Sequence, residues 1–399
     1  MKHPPEDILE KYARLLVDFA LNSGEGIKKG EVVLLQVPES AKPLLIHLRR
    51  AVLKSGGHFI TQYLPDNIDR DFYELAQDHQ LEFFPEKYLL ARVDQIDHSI
   101  GIISDVNPKE LEGIDPKKIM KRDLAHKPYM DSRRKKENEG RYTWTLAMYA
   151  TQEKADEAGL SLEEYWDQII KACYLDHENP ITKWKEITSE VERIKEQLNN
   201  LEIEKLHVKG ENADLWVKLG PNRKWMGGSG RNIPSFELFI SPDWKGTNGK
   251  IKFNQPLYRY GSIIKDVELE FKEGIVVNSK ASQNENVLKE MIATKNADKI
   301  GEFSLTDSRM SRITKFMAET LFDENTGGEF GNTHLALGAT YHDAFPGDIA
   351  KVTKEQWEDM GYNDSVVHTD IVSTEDRTVT AYLRDGTKKI IYQNGMFTL

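Results

Sequence analysis

The sequence predicts an α/β amino-terminal domain built on a parallel sheet, followed by a mixed or antiparallel α+β domain, so that the chain is α+β overall. Two observations carry this expectation. Over residues 1–107 short apolar runs alternate with stretches of helical periodicity, the pattern of strands joined by crossover helices. From about residue 205 the texture changes to short β-type runs broken by glycine.

The elements follow in order. Residues 6–20 place Ile8, Leu9, Tyr12, Leu15, Leu16 and Phe19 at helical spacing, behind prolines suited to a first turn. Val32–Val37 reads as a strand, and Ala41–Lys54 as a helix closed by Gly56-Gly57. Phe59–Thr61 reads as a strand and residues 69–78 as a short helix, with further strands over Tyr88–Ala91 and Ser99–Ile103. The first domain is expected to span residues 1–107, ending near Asp105-Val-Asn-Pro108.

The second domain is expected over residues 108–399, with 108–205 charged and mostly helical. There Lys117-Lys118, Lys121-Arg122 and Arg133–Lys136 form a locally basic stretch, which interleaved acids and the lack of an aromatic platform mark as a solvated helix face. Ser161-Leu-Glu-Glu164 is a capping box opening a helix, and Ser189–Leu201 has helical spacing. Beyond these, β-runs fall at Leu206–Val208, Leu215–Leu219, Phe236–Ile240, Val267–Phe271, Gly274–Val277, His334–Leu337, Val366–Val372 and Thr378–Leu383. Residues 308–322 read as the main helical exception.

Composition narrows the function. A chain of 399 residues, 39% hydrophobic and 30% charged, is globular, and a net charge of −11 argues against nucleic acid as its partner. A single cysteine, Cys173, allows no internal disulfide and fits a reducing compartment, and its apolar neighbours make it a helix-core residue. No apolar run follows the charged amino terminus, so no signal peptide is expected, and no stretch is long enough to span a membrane. A cytoplasmic protein is the expectation.

Five stretches in the last 170 residues carry metal-type ligands: Asn232–Glu237, Gly301–Phe303, Asp323–Gly338, Tyr341 and His368–Asp370. Carboxylates with neutral imidazoles are the donor set of Zn, Co or Mn, and several carboxylates able to bridge suggest two ions. That chemistry points to a hydrolase that activates water with metal. In Val366–Val372 strand alternation turns His368 and Asp370 to one face and Val367, Thr369 and Ile371 to the other.

Taken singly, each candidate also has a bland explanation. His368 reads as a core histidine bonded to Asp370, Glu237 and Glu302 as exposed strand positions, and His334, five residues after Glu329, as part of a hairpin with a polar edge. No His-Glu-x-x-His helix or Gly-x-Ser-x-Gly elbow is present, and Gly227-Gly-Ser-Gly230 contains no lysine and follows no βα unit.

In combination these segments resemble a known family. Asn232–Pro242, Gly301-Glu302, Asp323-Glu324 with Gly327-Gly-Glu329 and Thr333–Gly338, Tyr341 and Ser365–Asp370 are similar to the motif set of the aminopeptidase T and aminopeptidase S family of thermophilic metallopeptidases. Tyr12–Val17, Gly26–Gly30 and the closing Gly386–Leu399 extend the resemblance over essentially the whole chain. It implies two divalent ions in the carboxy-terminal domain, with Glu237, Glu302, Glu329, His334, His368 and Asp370 as ligands and Tyr341 as an active-site tyrosine. The implied activity releases single amino acids from peptides with a free amino terminus, by attack of a water shared between the ions. Glu302 is the expected proton shuttle and Tyr341 the expected oxyanion donor. The resemblance also implies a homodimer. Another two-metal hydrolase, acting on an amide or ester without a free amine, would use the same ligands. A non-catalytic metal- or peptide-binding relative would keep the fold, but the intact ligand set disfavours it.

Overall fold

Residues 4–399 are described by a computed structural model, and the charged terminus examined for a leader begins outside that range. The chain divides into two compact units. One runs to Trp184 and includes Ser229–Ile233, and the other comprises Lys185–Gly228 and Pro234–Leu399.

In the first unit, strands β1 (Val32–Pro38), β2 (His58–Leu64), β3 (His98–Ile103) and β4 (Thr143–Met148) form a parallel sheet of order β2-β1-β3-β4. The connecting helices are α1 (Glu6–Leu15), α2 (Lys42–Lys54), α3 (Asp69–Leu75), α4 (Asp78–Leu81), α5 (Glu86–Gln95) and α6 (Pro116–Asn138). The apolar stripe of α1 buries Leu9, Tyr12 and Leu15. Tyr12 is fully buried, and its hydroxyl both donates to the Met148 carbonyl at 3.0 Å and accepts from the Met148 amide at 3.1 Å, so burial leaves no polar group unsatisfied there.

Three expectations change here. Tyr88–Ala91 lies within α5, not in a strand, because a short apolar run does not by itself separate the two periods. The expected boundary after residue 107 falls between β3 and β4, which pair in one sheet with α6 as their crossover. The basic face of α6 also has one buried member. Lys136 donates to the carbonyls of Val93, Asp94 and Ile96 at 3.0, 2.8 and 2.6 Å, capping the end of α5, and burial lowers its pKa.

Beyond β4 come α7 (Gln152–Glu157), α8 (Leu162–Ala172) and α9 (Pro180–Asn199). The capping box forms as expected: Ser161 Oγ accepts from the Glu164 amide at 3.2 Å, and Glu164 accepts from the Ser161 amide at 2.9 Å. Cys173 is fully buried at the end of α8, where burial pushes its thiol up to about 12. Among the described residues no helix is long and apolar enough to cross a membrane.

The second unit is antiparallel. An eight-stranded sheet of order β12-β11-β8-β6-β5-β16-β17-β18 uses β5 (Ile203–Gly210), β6 (Ala213–Lys218), β8 (Asn248–Lys252), β11 (Glu268–Lys272), β12 (Ile275–Lys280), β16 (Arg377–Leu383), β17 (Lys388–Gln393) and β18 (Met396–Phe397). A four-stranded sheet of order β15-β14-β13-β7 uses β7 (Glu237–Ile240), β13 (Ile300–Thr306), β14 (Asn332–Gly338) and β15 (His368–Ser373). A short hairpin pairs β9 (Leu257–Arg259) with β10 (Ser262–Ile264).

The helix expected over 308–322 shrinks to α11 (Thr320–Asp323), downstream of α10 (Glu285–Ala293). Side chains take the backbone donors that a helix would use: the Asp323 carboxylate accepts from the amides of Met317 at 2.7 Å and Glu319 at 2.9 Å. The apolar residues Ile313, Met317 and Phe322 are buried all the same, which explains the misleading pattern.

Candidate metal centre

Strand register gathers the site. Across the four-stranded sheet Asp370 stands opposite Ala336, and Ala336 opposite Glu302; His368 is opposite Gly338, His334 opposite Ser304, and Glu237 opposite Thr306. Directly opposed residues share a face, and side chains two apart along a strand share it too. Glu237, Glu302, His334, His368 and Asp370 therefore all project from one face, all within the second unit.

The distances are those of a ligand cluster. One donor atom each from Glu237, Glu302 and His334 lies within 4.8 Å of the other two, and all three residues are buried. His334 Nε2 is 3.2 Å from Glu237 Oε2, 3.4 Å from Glu302 Oε1 and 4.0 Å from Asp370 Oδ1. His368 Nε2 is 3.8 Å from Glu302 Oε2 and 3.6 Å from Asp370 Oδ1. The two oxygens of Glu302 thus face different histidines, the geometry of a bridging carboxylate. Glu237 and Glu302 are 8% and 4% exposed, so neither is the exposed strand position that each resembled alone.

The imidazoles are fixed from behind. The Asn332 side-chain amide donates to the carbonyls of Glu324 and Thr326 at 2.6 and 3.0 Å, which turns its oxygen toward His334 Nδ1 at 3.2 Å. His368 Nδ1 donates to the Ala339 carbonyl at 2.8 Å. Both rings then present Nε2 to the carboxylates, the orientation metal-binding histidines take when an outer group holds the other nitrogen. Gly338 makes the second arrangement possible: its φ is +107°, and a Cβ there would come within 2.0 Å of the Val367 carbonyl oxygen.

Glu329 does not join the cluster. It is exposed on the loop that precedes β14. Glu324, which the family resemblance names beside Asp323 without a ligand role, is the carboxyl that feels the site. Burial first, then the charges of Glu237 and Asp370, hold it well above the usual carboxylate range. The next residue, Asn325, accepts the Phe236 amide at 2.7 Å, which ties this loop to the start of β7 beside Glu237. Glu324 lies outside any strand pattern, and its local signal in the sequence is a position just past α11 in a glycine-rich turn.

Electrostatically the site lacks positive charge. Burial raises the Glu302 carboxyl to about 7, with Glu237 and Asp370 adding to the rise and the His334 hydrogen bond opposing it. Burial would lower His368, but Asp370 and Glu302 outweigh it and bring the ring to about 9. Burial likewise opposes protonation of His334, yet the hydrogen bonds of Glu237 and Glu302 lift it well above the usual histidine range. Burial would raise Asp370, but the charge and hydrogen bond of His368, then His334 and Arg259, hold it below the usual range. Four carboxyl groups, Glu237, Glu302, Glu324 and Asp370, interact with two imidazoles. If all four ionised, even two protonated rings would leave net negative charge in a desolvated place, which is why Glu302 and Glu324 are raised and why further cations suit the cluster. Divalent ions fit this donor set of oxygens and imidazole nitrogens.

Tyr341 sits at the rim, 46% exposed. Its ring centroid is 4.7 Å from that of His368 and 5.9 Å from that of Phe239. Partial burial and then the Glu302 and Asp370 charges raise its phenol above the usual value, so it remains a hydrogen-bond donor at neutral pH.

A buried carboxylate–imidazole cluster on one sheet face defines a metal-binding protein, and comparison with known sequences gives the family. The thermophilic metalloprotease (M29) model matches residues 6–397, and the chain belongs to that family. The chain is similar to aminopeptidase AmpS of Bacillus subtilis, 28% identical over 409 residues covering 97% of both chains. It is 29% identical to aminopeptidase PepS of Streptococcus thermophilus over 418 residues, again 97% of both. With aminopeptidase T of Thermus thermophilus it shares 26% identity over 419 residues, 98% of this chain and 100% of the other. The solved structure of wild-type AmpT from Thermus thermophilus superposes with a TM-score of 0.81 at 23% identity, covering 98% of this chain and 99% of that one, a likeness of fold. The family resemblance carried by the motifs is thereby established, as is the mixed α/β architecture.

Proposed function

We propose that this metalloprotease is an aminopeptidase that uses two divalent ions to remove single residues from the free amino termini of peptides. Its full-length similarity to proteins named aminopeptidases supports the activity. The observation that carries the two-ion assignment is Glu302, whose Oε1 lies 3.4 Å from His334 and whose Oε2 lies 3.8 Å from His368. Glu237, Glu302 and His334 form one donor group and His368, Asp370 and Glu302 the other, with Glu324 taking the place expected of Glu329. When bound, the ions would supply a water acidic enough to attack at neutral pH, polarise the scissile carbonyl and accept a free α-amine as ligand.

The protein side chains do the rest. Glu302 is the proposed carrier of the attacking water's proton to the leaving amine, acting through an oxygen that the ions leave free. Tyr341 keeps its proton and donates a hydrogen bond to the developing oxyanion. Asn332 and the Ala339 carbonyl hold both imidazoles in the neutral tautomer with Nε2 inward. The assignment extends to a cytoplasmic homodimer, checked by light scattering and fractionation.

The test is hydrolysis of leucine p-nitroanilide and its N-acetyl derivative, with and without a chelator. The free-amine substrate should be cleaved, the acetylated one nearly spared, and chelation should abolish cleavage until Zn, Co or Mn is restored. Comparable rates on both substrates would favour a general two-metal amidase. Full activity in protein shown by elemental analysis to be metal-free would overturn the metal assignment.

A further inference from the structure

The first unit contains a cavity of about 380 Å³ on one face of its parallel sheet, remote in function from the carboxylate cluster. Its floor is formed by Gln36 on β1 and Gly101 on β3, which are register partners. In the order β2-β1-β3-β4 the connection from β1 leads one way, to β2, and that from β3 the other way, to β4, so the gap between β1 and β3 is the topological switch point. The cavity lies along the strands beneath the later turns of α6, where Met130, Arg133 and Glu137 line it. Gly101 leaves that floor open: a Cβ there would already lie 3.2 Å from the Leu146 side chain.

The polar groups around the cavity favour an anion. Arg133 lines it, donates to the Tyr142 hydroxyl at 2.6 Å, and has no carboxylate partner among the described residues. The one lining carboxylate, Glu137, is held by Arg231 at 2.9 Å and by the Trp144 indole at 3.0 Å. Arg92 is linked to the same place in two ways. It shares the Gln62 side-chain oxygen with Gln36, at 3.0 and 3.2 Å, and its guanidinium carbon lies 5.1 Å from the Tyr129 ring centroid, where Arg133 lies at 5.7 Å. Among the described residues it too has no carboxylate partner. Arg92 Nε and the Tyr129 hydroxyl are buried with no hydrogen-bond partner, and Tyr129 is only 8% exposed. An unsatisfied buried hydroxyl and guanidinium nitrogen are costly unless an acceptor joins them.

We infer that this cavity is a binding site for a small anion bearing a carboxylate or phosphoryl group, held by Arg133 and backed by Arg92 through Gln62 and Gln36, with Trp144 and Leu146 against its apolar part. The site stands apart from the proposed peptidase chemistry and does not rest on it. Calorimetric titration of the metal-loaded protein with inorganic phosphate, and separately with N-acetyl-leucine, tests it. N-acetyl-leucine carries a carboxylate and an apolar body but no free amine. Saturable binding of one probe per chain is expected, phosphate alone or the carboxylate alone telling which class is taken. Arg133→Met should weaken binding roughly tenfold or more, as loss of a charge-assisted hydrogen bond does. Gly101→Val, which fills the floor without touching a charge or a strained backbone, should weaken it similarly. Both variants should keep the turnover of a free-amine substrate at saturation. No saturable binding of either probe at millimolar concentration would overturn the inference, as would binding that both variants leave unchanged.

Discussion

Glu302→Gln should have opposite effects on stability and on activity. Without metal, burial among Glu237 and Asp370 raises the Glu302 carboxyl from 4.5 to about 7. The unfolded chain gives up this proton near its ordinary pKa, while the folded chain holds it until about 7, so the native state binds more protons between those values. Stability is therefore lost as pH rises through that window and stays lost above it. At about 1.4 kcal/mol for each tenfold change in proton affinity, the cost above pH 7 is roughly 3 kcal/mol. Glutamine keeps the shape and removes the charge, so the metal-free variant should be more stable than the parent at about pH 8 and match it near pH 4. For a unit of this size each kcal/mol moves the thermal midpoint by about 2–4 °C, so the gain is several degrees. The same change should cut kcat by roughly a hundredfold or more, since it removes both a bridging ligand and a proton carrier. Thermal unfolding in chelator at both pH values, with p-nitroanilide kinetics after metal loading, reads both effects. Parallel pH–stability curves for parent and variant, or undiminished turnover, would refute the reasoning.

Other substitutions separate neighbouring groups. Glu324→Gln should lower metal content and activity roughly a hundredfold, whereas Glu329→Gln, on an exposed loop, should change either by about twofold at most; elemental analysis with kinetics would show the reverse if Glu329 were the ligand. His368→Ala or Asp370→Ala should cost activity and metal occupancy at least roughly a hundredfold, while Thr369→Ala, on the opposite face of β15, should cost less than about tenfold; equal losses at all three would mean that the face was wrongly assigned. Metal binding should weaken as pH falls below about 9, because His368 keeps its proton up to about that pH and must lose it to bind. Calorimetry in buffers of different ionisation heat should detect released protons, and an affinity flat from about pH 6 to 9 would contradict this.

How much was legible in the chain depends on how local each signal is. The pairing of His368 with Asp370 follows from strand alternation alone, and the amino-terminal βα pattern follows from periodicity. Glu302 was harder. Its strand is central in the four-stranded sheet, so a charged residue that reads as exposed is buried by neighbours far away in sequence. Convergence on Asp370 through Ala336 is a fact of register, which pairing across distant segments sets. Residues 308–319 mislead because their apolar spacing is real while Asp323 diverts the backbone from helix. β4 was hidden inside a charged helical stretch and shows itself only by joining the sheet through β3.

The most direct test of the central claim is the order in which products leave an unblocked peptide. Metal-loaded protein is incubated with a peptide of about ten residues and its N-acetylated twin, and mass spectra are taken through the time course. Capture of a free α-amine at the carboxylate–imidazole cluster predicts products shortened one residue at a time from the amino terminus, with the acetylated peptide nearly intact. Internal fragments at early times, or equal consumption of both peptides, would contradict it.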